Sequence, residues 1–247
     1  MILIYSDFGT TGPYGGAMQA AVLRQTPHAP VIDLMVDAPD RNPRAAAFLL
    51  AALRGEFRPG DIGLCVVDPG VGGTRKGLMV RCDDVWFVGP DNGLFEILIR
   101  RAQRAEIWQI DWCPDVVSPS FHGRDIFGPV AAMLYEGLDI GRQQIMLSDR
   151  DAGPQGWPDD LAEIIYIDGY GNAMTGLRAA THDGAVMAGG RALPHVRTFG
   201  DVALGQGLVY QNSFGLLEIA VNGDRADRMF GLSIGSPVHI ATKNGQT

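Results

Sequence analysis

Through its first half the chain alternates short apolar runs with stretches of helical periodicity, and Gly-rich polar clusters follow several of the runs. Strand-like runs at 2–5, 31–34, 62–67, 77–81 and 86–88 are interleaved with helical patterns at 14–25, 43–54 and 92–104, and a further helix is expected at 129–136. Strands alternating with helices imply βαβ units, which assemble into a largely parallel sheet covered by helices. The stretch 45–53 is apolar throughout, follows Arg44 and ends at Arg54. It is too short to cross a bilayer and reads as a buried helix.

Past residue 160 the pattern changes. Short β-like runs at 162–167, 185–187, 207–210, 216–221 and 238–241 are separated by Gly, Asn and Asp turns, with one helix at most. Such spacing fits a small sandwich or barrel. Between the two halves, SDRDAGPQGWPDD is rich in Asp, Gly and Pro and reads as an exposed linker. The expected organisation is an α/β domain with a largely parallel sheet over 1–148, a linker over 149–159 and a small all-β, barrel-like domain over 160–247. The 247 residues accommodate two unequal domains of this kind. The sequence carries no internal repeat, heptad or low-complexity tract.

A formal net charge of -8 argues against nucleic acid as a partner, because phosphate-tracking surfaces are basic. Cys65, Cys82 and Cys113 form no CxxC pair and lie in hydrophobic-looking segments, which suits reduced, buried thiols and a cytoplasmic setting. The opening MILIYSDFG has no basic region and too few apolar residues for a signal peptide or a membrane span.

Four clusters sit where strands should end: SDFGTTGPYGG at 6–16, VVDPGVGGTRK at 66–76, GPDNG at 89–93 and SFHGRD at 120–125. In open α/β sheets, ligands bind outside the carboxyl ends of the strands, so these loops are where chemistry is expected. None is a P-loop or a dinucleotide fingerprint: VDPGVGGTRK lacks the GK[ST] ending, and DFGTTGPYGG lacks the GxGxxG spacing. The histidines, His28, His122, His182, His195 and His239, form no HxH or HxxxH pair, so no metal or other cofactor is expected. Of the five, only His122 lies in a polar loop between Gly and an aromatic, beside Arg124 and Asp125.

Taken in order, DFG with a following Tyr-x-Gly, VVDPGVG with a basic pair, FVGPDNGL, SFHGRDIFGP, IDGYGN and NSFGLLEIA resemble the motif set of the S-adenosylmethionine hydroxide adenosyltransferases and their halogenase relatives. The similarity runs from about Met1 to Val238. It implies an α/β domain followed by a β-barrel, and a homotrimer whose sites each join the first domain of one subunit to the second domain of its neighbour. S-adenosylmethionine is then substrate, not cofactor. The family's Asp, Arg and His triad falls on Asp68, Arg75 and His122. Asp7 matches the acid that holds the ribose hydroxyls. Asp168, Asn172 and Ser213 match positions holding the methionine part and the neighbouring ribose. Tyr170 and Phe199 take aromatic roles around the purine, and the Val221 carbonyl and Gly223 amide read its edge.

Displacement at the ribose C5′ of a sulfonium releases a neutral thioether, so no general acid is required. A positioned, partly deprotonated water is. Residue types favour His122 as proton acceptor, with Asp68 orienting it or the water. The family resemblance leaves open which residue takes the proton. Two departures stand out: Gly12 and Val36 replace an acid and a histidine that the family often has. The competing functions are a halogenase on the same fold, in which the Asp68 position is tyrosine and residues 121–123 read Phe-Tyr-Ser, and a module that binds S-adenosylmethionine or adenosine without turnover. Asp68, His122 and Gly123 side with the hydrolases.

Overall fold

The computed structural model describes residues 1–146, 156–182 and 184–241. The chain divides into two compact units, Met1–Gly156 and Trp157–Thr247. Residues 149–155 of the expected linker lie outside the described residues.

In the first unit, strands β1 (Ile2–Ser6), β2 (Val31–Met35), β3 (Ile62–Val66), β4 (Gly77–Cys82), β5 (Val85–Pro90), β6 (Ala105–Ile110) and β7 (Arg142–Ile145) form one seven-stranded sheet in the order β2-β1-β3-β5-β4-β6-β7. The run β2-β1-β3-β5 is parallel. Strand β4 lies antiparallel between β5 and β6, and β7 closes the edge antiparallel to β6. All strands except β4 and β7 therefore point the same way, as the alternating pattern implied. Both faces of the sheet centre are covered: every residue of β1 and β3 is buried, which is why these strands read as unbroken apolar runs.

Helices α1 (Tyr14–Gln25), α2 (Pro43–Ala52), α3 (Glu96–Arg101) and α4 (Gly128–Tyr135) complete the unit. Asn42 caps α2 by accepting the Ala45 amide at 3.1 Å, and Pro43 supplies the first helical position. Residues 45–51 of α2 are all buried.

The helix expected over 92–104 is shorter than its pattern. Gly93 takes a left-handed φ of 96°, and its carbonyl accepts the Glu96 amide at 2.9 Å, so the first four residues form a turn. The end of that pattern gives way to β6, whose AEIWQI alternation is itself a strand signal. Strand β7 was not legible at all, because RQQI is polar and sits exposed on a sheet edge.

The second unit holds β8 (Leu161–Ile167), β9 (Ala173–Arg178), β10 (Ala185–Ala188), β11 (Arg191–Ala192), β12 (Gly207–Gln211), β13 (Leu216–Val221), β14 (His239–Ala241) and the short α5 (Ala226–Phe230). They form two antiparallel sheets, β12-β13-β9-β8 and β11-β10-β14. One core joins them, with Ile164, Leu177, Val209 and Leu217 from the first sheet and Val186 and Ala188 from the second. The apolar alternation of each strand has its inner face here. Cys65 and Cys82 are buried as expected; Cys113 is exposed, because it follows β6 in a Pro- and Asp-containing loop. Among the described residues no helix is long and apolar enough to cross a membrane.

One close approach fixes how β5 lies on β3. A Cβ at Gly89 would overlap the Cys65 carbonyl and come within 2.9 Å of the Phe95 ring. Gly89→Ala should lower unfolding stability by about 1–3 kcal/mol through overpacking, read as a lower urea midpoint at unchanged slope. An unchanged midpoint would show that the pairing can move aside.

Candidate active site

Strands β1 and β3 are neighbours in the parallel run, with Ser6 opposite Val66. The residues just beyond them, Asp7 and Asp68, therefore leave the same edge of the sheet side by side. His122 precedes a π-helical turn, Gly123–Phe127, that runs into α4; such irregular turns recur at functional sites. Gly123 packs tightly, since a Cβ there would meet Met18 Sδ at 3.2 Å and Phe8 and Val66 at 3.4 Å. These elements enclose a small cavity of about 80 Å³ lined by Asp7, Phe8, Arg41, Asp68, Phe121 and His122, among others.

Arg75 ties this site together. Its Nε donates to Asp68 Oδ1 at 2.9 Å, and one Nη donates to Asp68 Oδ2, making a two-pronged ion pair. The same Nη stands 2.9 Å from His122 Nδ1. A guanidinium has only donors, so Nδ1 must be the acceptor, and the neutral ring carries its proton on Nε2. The Asp68 side chain is 5% exposed and that of Arg75 11%, so this pairing is shielded from the screening that weakens surface ion pairs. Beneath it, the Phe127 ring centroid lies 5.2 Å from the guanidinium carbon. Burial, followed by the Arg75 charge, holds the His122 imidazolium below the usual histidine range, while Asp68 and Asp125 pull the other way.

Asp7 accepts the Arg41 backbone N–H at 2.9 Å, and Arg41 adopts a left-handed φ of 49° to present it. Burial raises the Asp7 carboxyl above the usual range against the backbone hydrogen bonds, and the charges of Asp40 and Asp68 add to the rise. An aromatic group borders the cavity: Phe8, Tyr14 and Phe121 meet pairwise at 5.2–6.0 Å between centroids. The two departures noted in the sequence fall nearby. Gly12 has a φ of 95°, and the Val36 carbonyl accepts the Gly9 amide at 2.6 Å.

The remaining expected residues lie in the second unit, and all but Ser213 line an open cavity of about 750 Å³. Asp168, Tyr170, Asn172, Phe199, Val221 and Gly223 all line it. The Asp168 carboxylate accepts the Tyr170 and Asn172 amides at 2.9 Å and Asn172 Nδ2 at 3.0 Å, which fixes the IDGYGN turn. Ser213 is not among the lining residues; it is exposed on the β12–β13 turn, because Asn212 inside that turn takes the buried position.

Sequence reasoning missed Tyr210 and Glu218. Glu218 is buried and accepts Tyr210 Oη–H and Asn212 Nδ2–H, each at 2.7 Å. Burial raises its carboxyl. Tyr210 in turn meets the Phe199 ring at 5.1 Å and lines the cavity. The only signal was a carboxylate inside the otherwise apolar run LLEIAV.

The family model described as the SAM hydroxide adenosyltransferase N-terminal domain matches residues 2–143, and its C-terminal counterpart matches residues 162–239. The chain is 35% identical to an (R)-S-adenosyl-L-methionine hydrolase of Thermus thermophilus over 97% of this chain and 98% of that protein. To the protein of the same name in Salinispora tropica it is 33% identical, over 95% of each. Among solved structures it is similar to a conserved protein of Thermotoga maritima, with a TM-score of 0.86 at 31% identity, covering 98% of this chain and all of the other. A conserved protein of Thermus thermophilus gives a TM-score of 0.77 at 34% identity over 97% of this chain and 99% of the other.

The depressed His122 imidazole gives a signed pH dependence. Above about 6.5 the ring is neutral both folded and unfolded. As pH falls below that value, the unfolded chain binds the proton first, so stability is lost until the folded ring's lower value is passed. The stability advantage of the native protein over His122→Asn should therefore be larger at pH 7.5 than at pH 5 in urea titrations. An equal advantage at both would show that burial and the Arg75 charge do not hold the ring below its ordinary value.

Proposed function

The chain belongs to the SAM hydroxide adenosyltransferase family, and on that premise we propose that it hydrolyses S-adenosyl-L-methionine at the ribose C5′, giving adenosine and L-methionine. The names of its relatives support this reading. The observation that carries it is the connected set Asp68, Arg75 and His122 beside the Asp7 cavity.

A water molecule loses a proton to solvent, and the hydroxide oxygen attacks C5′ in line with the C5′–S bond. That bond breaks, its electron pair goes to sulfur, and the sulfonium leaves as the neutral thioether of methionine. With Nδ1 engaged by Arg75, His122 acts as a donor through Nε2–H, holding the attacking oxygen and its developing charge. This differs from the proton-acceptor role expected from residue type alone. Asp68 engages Arg75 with both carboxylate oxygens and so holds the guanidinium in place. Hydroxide and sulfonium cancel each other's charge in the transition state, a change favoured where water is excluded. The leaving group is already activated, so the step needs no metal or other cofactor.

Asp7 accepts the two ribose hydroxyls, as a carboxylate can. Asp168, Asn172 and Ser213 take the methionine part and neighbouring ribose, Tyr170 and Phe199 flank the purine, and the Val221 carbonyl and Gly223 amide meet its edge. These assignments follow the family's motif order. Asp68, His122 and Gly123 stand where a halogenase carries tyrosine and Phe-Tyr-Ser. Burial pushes the Cys82 thiol up to about 12 and the Cys65 thiol upward as well, which makes both unreactive; with the free cysteines this favours a reducing cytoplasm.

His122→Ala and Asp68→Ala should each cut kcat by roughly 100-fold or more with little change in adenosine affinity. Asp7→Ala should weaken substrate and adenosine together. Adenosine release by chromatography and adenosine binding by calorimetry check both. Near-normal kcat in His122→Ala with unchanged adenosine affinity in Asp7→Ala would favour a different ligand.

The resemblance further supports a homotrimer in which the first unit of one subunit and the second unit of its neighbour complete each site. Light scattering should give three times the chain mass. A monomer with full turnover would end the shared-site reading.

A further inference from the structure

The GPDNG turn lines neither cavity, yet it touches both ends of the segment that carries Asp68 and Arg75. That segment contains Gly70, Gly72 and Gly73 and makes turns of its own, Val71 N–H to the Asp68 carbonyl at 3.2 Å and Gly73 N–H to the Gly70 carbonyl at 3.0 Å. Three glycines leave such a loop with many alternatives to lose. Its ends must be held from outside.

Strand β3 stops at Val66, and its register with β5 reaches only Leu64 opposite Val88. The next carbonyl, that of buried Val67, accepts Asn92 Nδ2–H at 2.8 Å. At the other end, the Lys76 carbonyl accepts the Asp91 backbone N–H at 2.9 Å. Adjacent residues of one turn thus grip the residue before Asp68 and the residue after Arg75. Asn92 Oδ1 accepts the Leu94 amide at 3.3 Å, which fixes which end of the side-chain amide faces Val67.

We propose that Asn92 is a positioning residue for the hydrolysis, clamping the Val67 carbonyl so that Asp68 leaves the sheet where it can hold Arg75 against His122. The kinetic part rests on the proposed reaction. The structural part does not.

Asn92→Asp keeps the acceptor for the Leu94 amide and removes the donor to Val67. Asn92→Ala removes both. Both should lower kcat by roughly 10- to 100-fold, the scale of an ångström-level misplacement, with KM changed by less than about 2-fold. Placed in an Asp68→Ala background, Asn92→Asp should add almost no further loss, because the group it positions is gone. A second measurement does not depend on turnover: the His122 imidazole, faced by Arg75, Asp68 and Asp125, is followed by NMR titration. In Asn92→Ala it should move back up toward the ordinary histidine value. Undiminished kcat in Asn92→Asp, an additive loss with Asp68→Ala, or an unmoved His122 would each overturn the clamp. If the native protein releases no adenosine, the hydrolysis reading falls, and the His122 titration alone decides the clamp.

Discussion

The site in the first unit depends on one guanidinium. Among the described residues Arg75 is the group that touches both Asp68 and His122 within hydrogen-bond reach, and it sets the state of each. It neutralises a carboxylate that is almost wholly buried and would otherwise be costly to leave unpaired. It also occupies His122 Nδ1, which decides the ring's tautomer and which nitrogen can meet a ligand. A lysine could not replace it: one ammonium would have to serve both carboxylate oxygens and the imidazole without the planar fork.

Much of the surrounding fold can be understood as holding that guanidinium still. Phe127 lies beneath it at the end of the π-helical turn, and a Cβ at Gly72 would overlap the Pro119 carbonyl, so the 68–75 loop and the 118–123 loop press together. Asn92 and Asp91 grip the loop ends. A charge network of this kind gains strength from a low-dielectric setting only when every member is satisfied. Here the partners come from three separate stretches of chain, so the network forms only once the sheet has.

The sequence made the sheet centre legible for a physical reason. Strands β1 and β3 are buried on both faces and read as apolar runs, and α2 is an apolar run long enough to be a buried helix. Where structure depends on pairing and not on burial, the signal fades: β7 is polar because it is an edge, and Gly93 cuts short a pattern that otherwise reads as helix. The site residues divide the same way. Asp7, Asp68 and His122 stand in the polar clusters that the sequence put beyond strand ends, and the structure brings all three to one cavity. Tyr210 and Glu218 were not, because a buried carboxylate in a strand is invisible until its partners, 6 to 8 residues away, are seen to face it. Ser213 is exposed on its turn while Asn212 beside it is buried.

The second unit poses a complementary electrostatic problem. Among the described residues the Asp168 carboxylate accepts hydrogen bonds from neutral donors, and Glu218 from a phenol and an amide. Arg225, which also lines the cavity, is committed to Asp227 through two hydrogen bonds of 3.0 and 2.7 Å and to the Gly169 carbonyl. The charged residues lining the cavity are Asp168, Asp224 and Arg225, and with Arg225 bound to Asp227 the wall leans negative. Such a wall favours a cationic ligand and penalises an anionic one, since a like charge placed there would be repelled and poorly solvated. On the proposed reading the substrate arrives with a sulfonium, an ammonium and a carboxylate and so with a net positive charge, whereas adenosine leaves with no charge at all. The same wall that favours the substrate thus gives no electrostatic reason to retain the nucleoside product, and discrimination between the two comes from charge that the reaction itself removes.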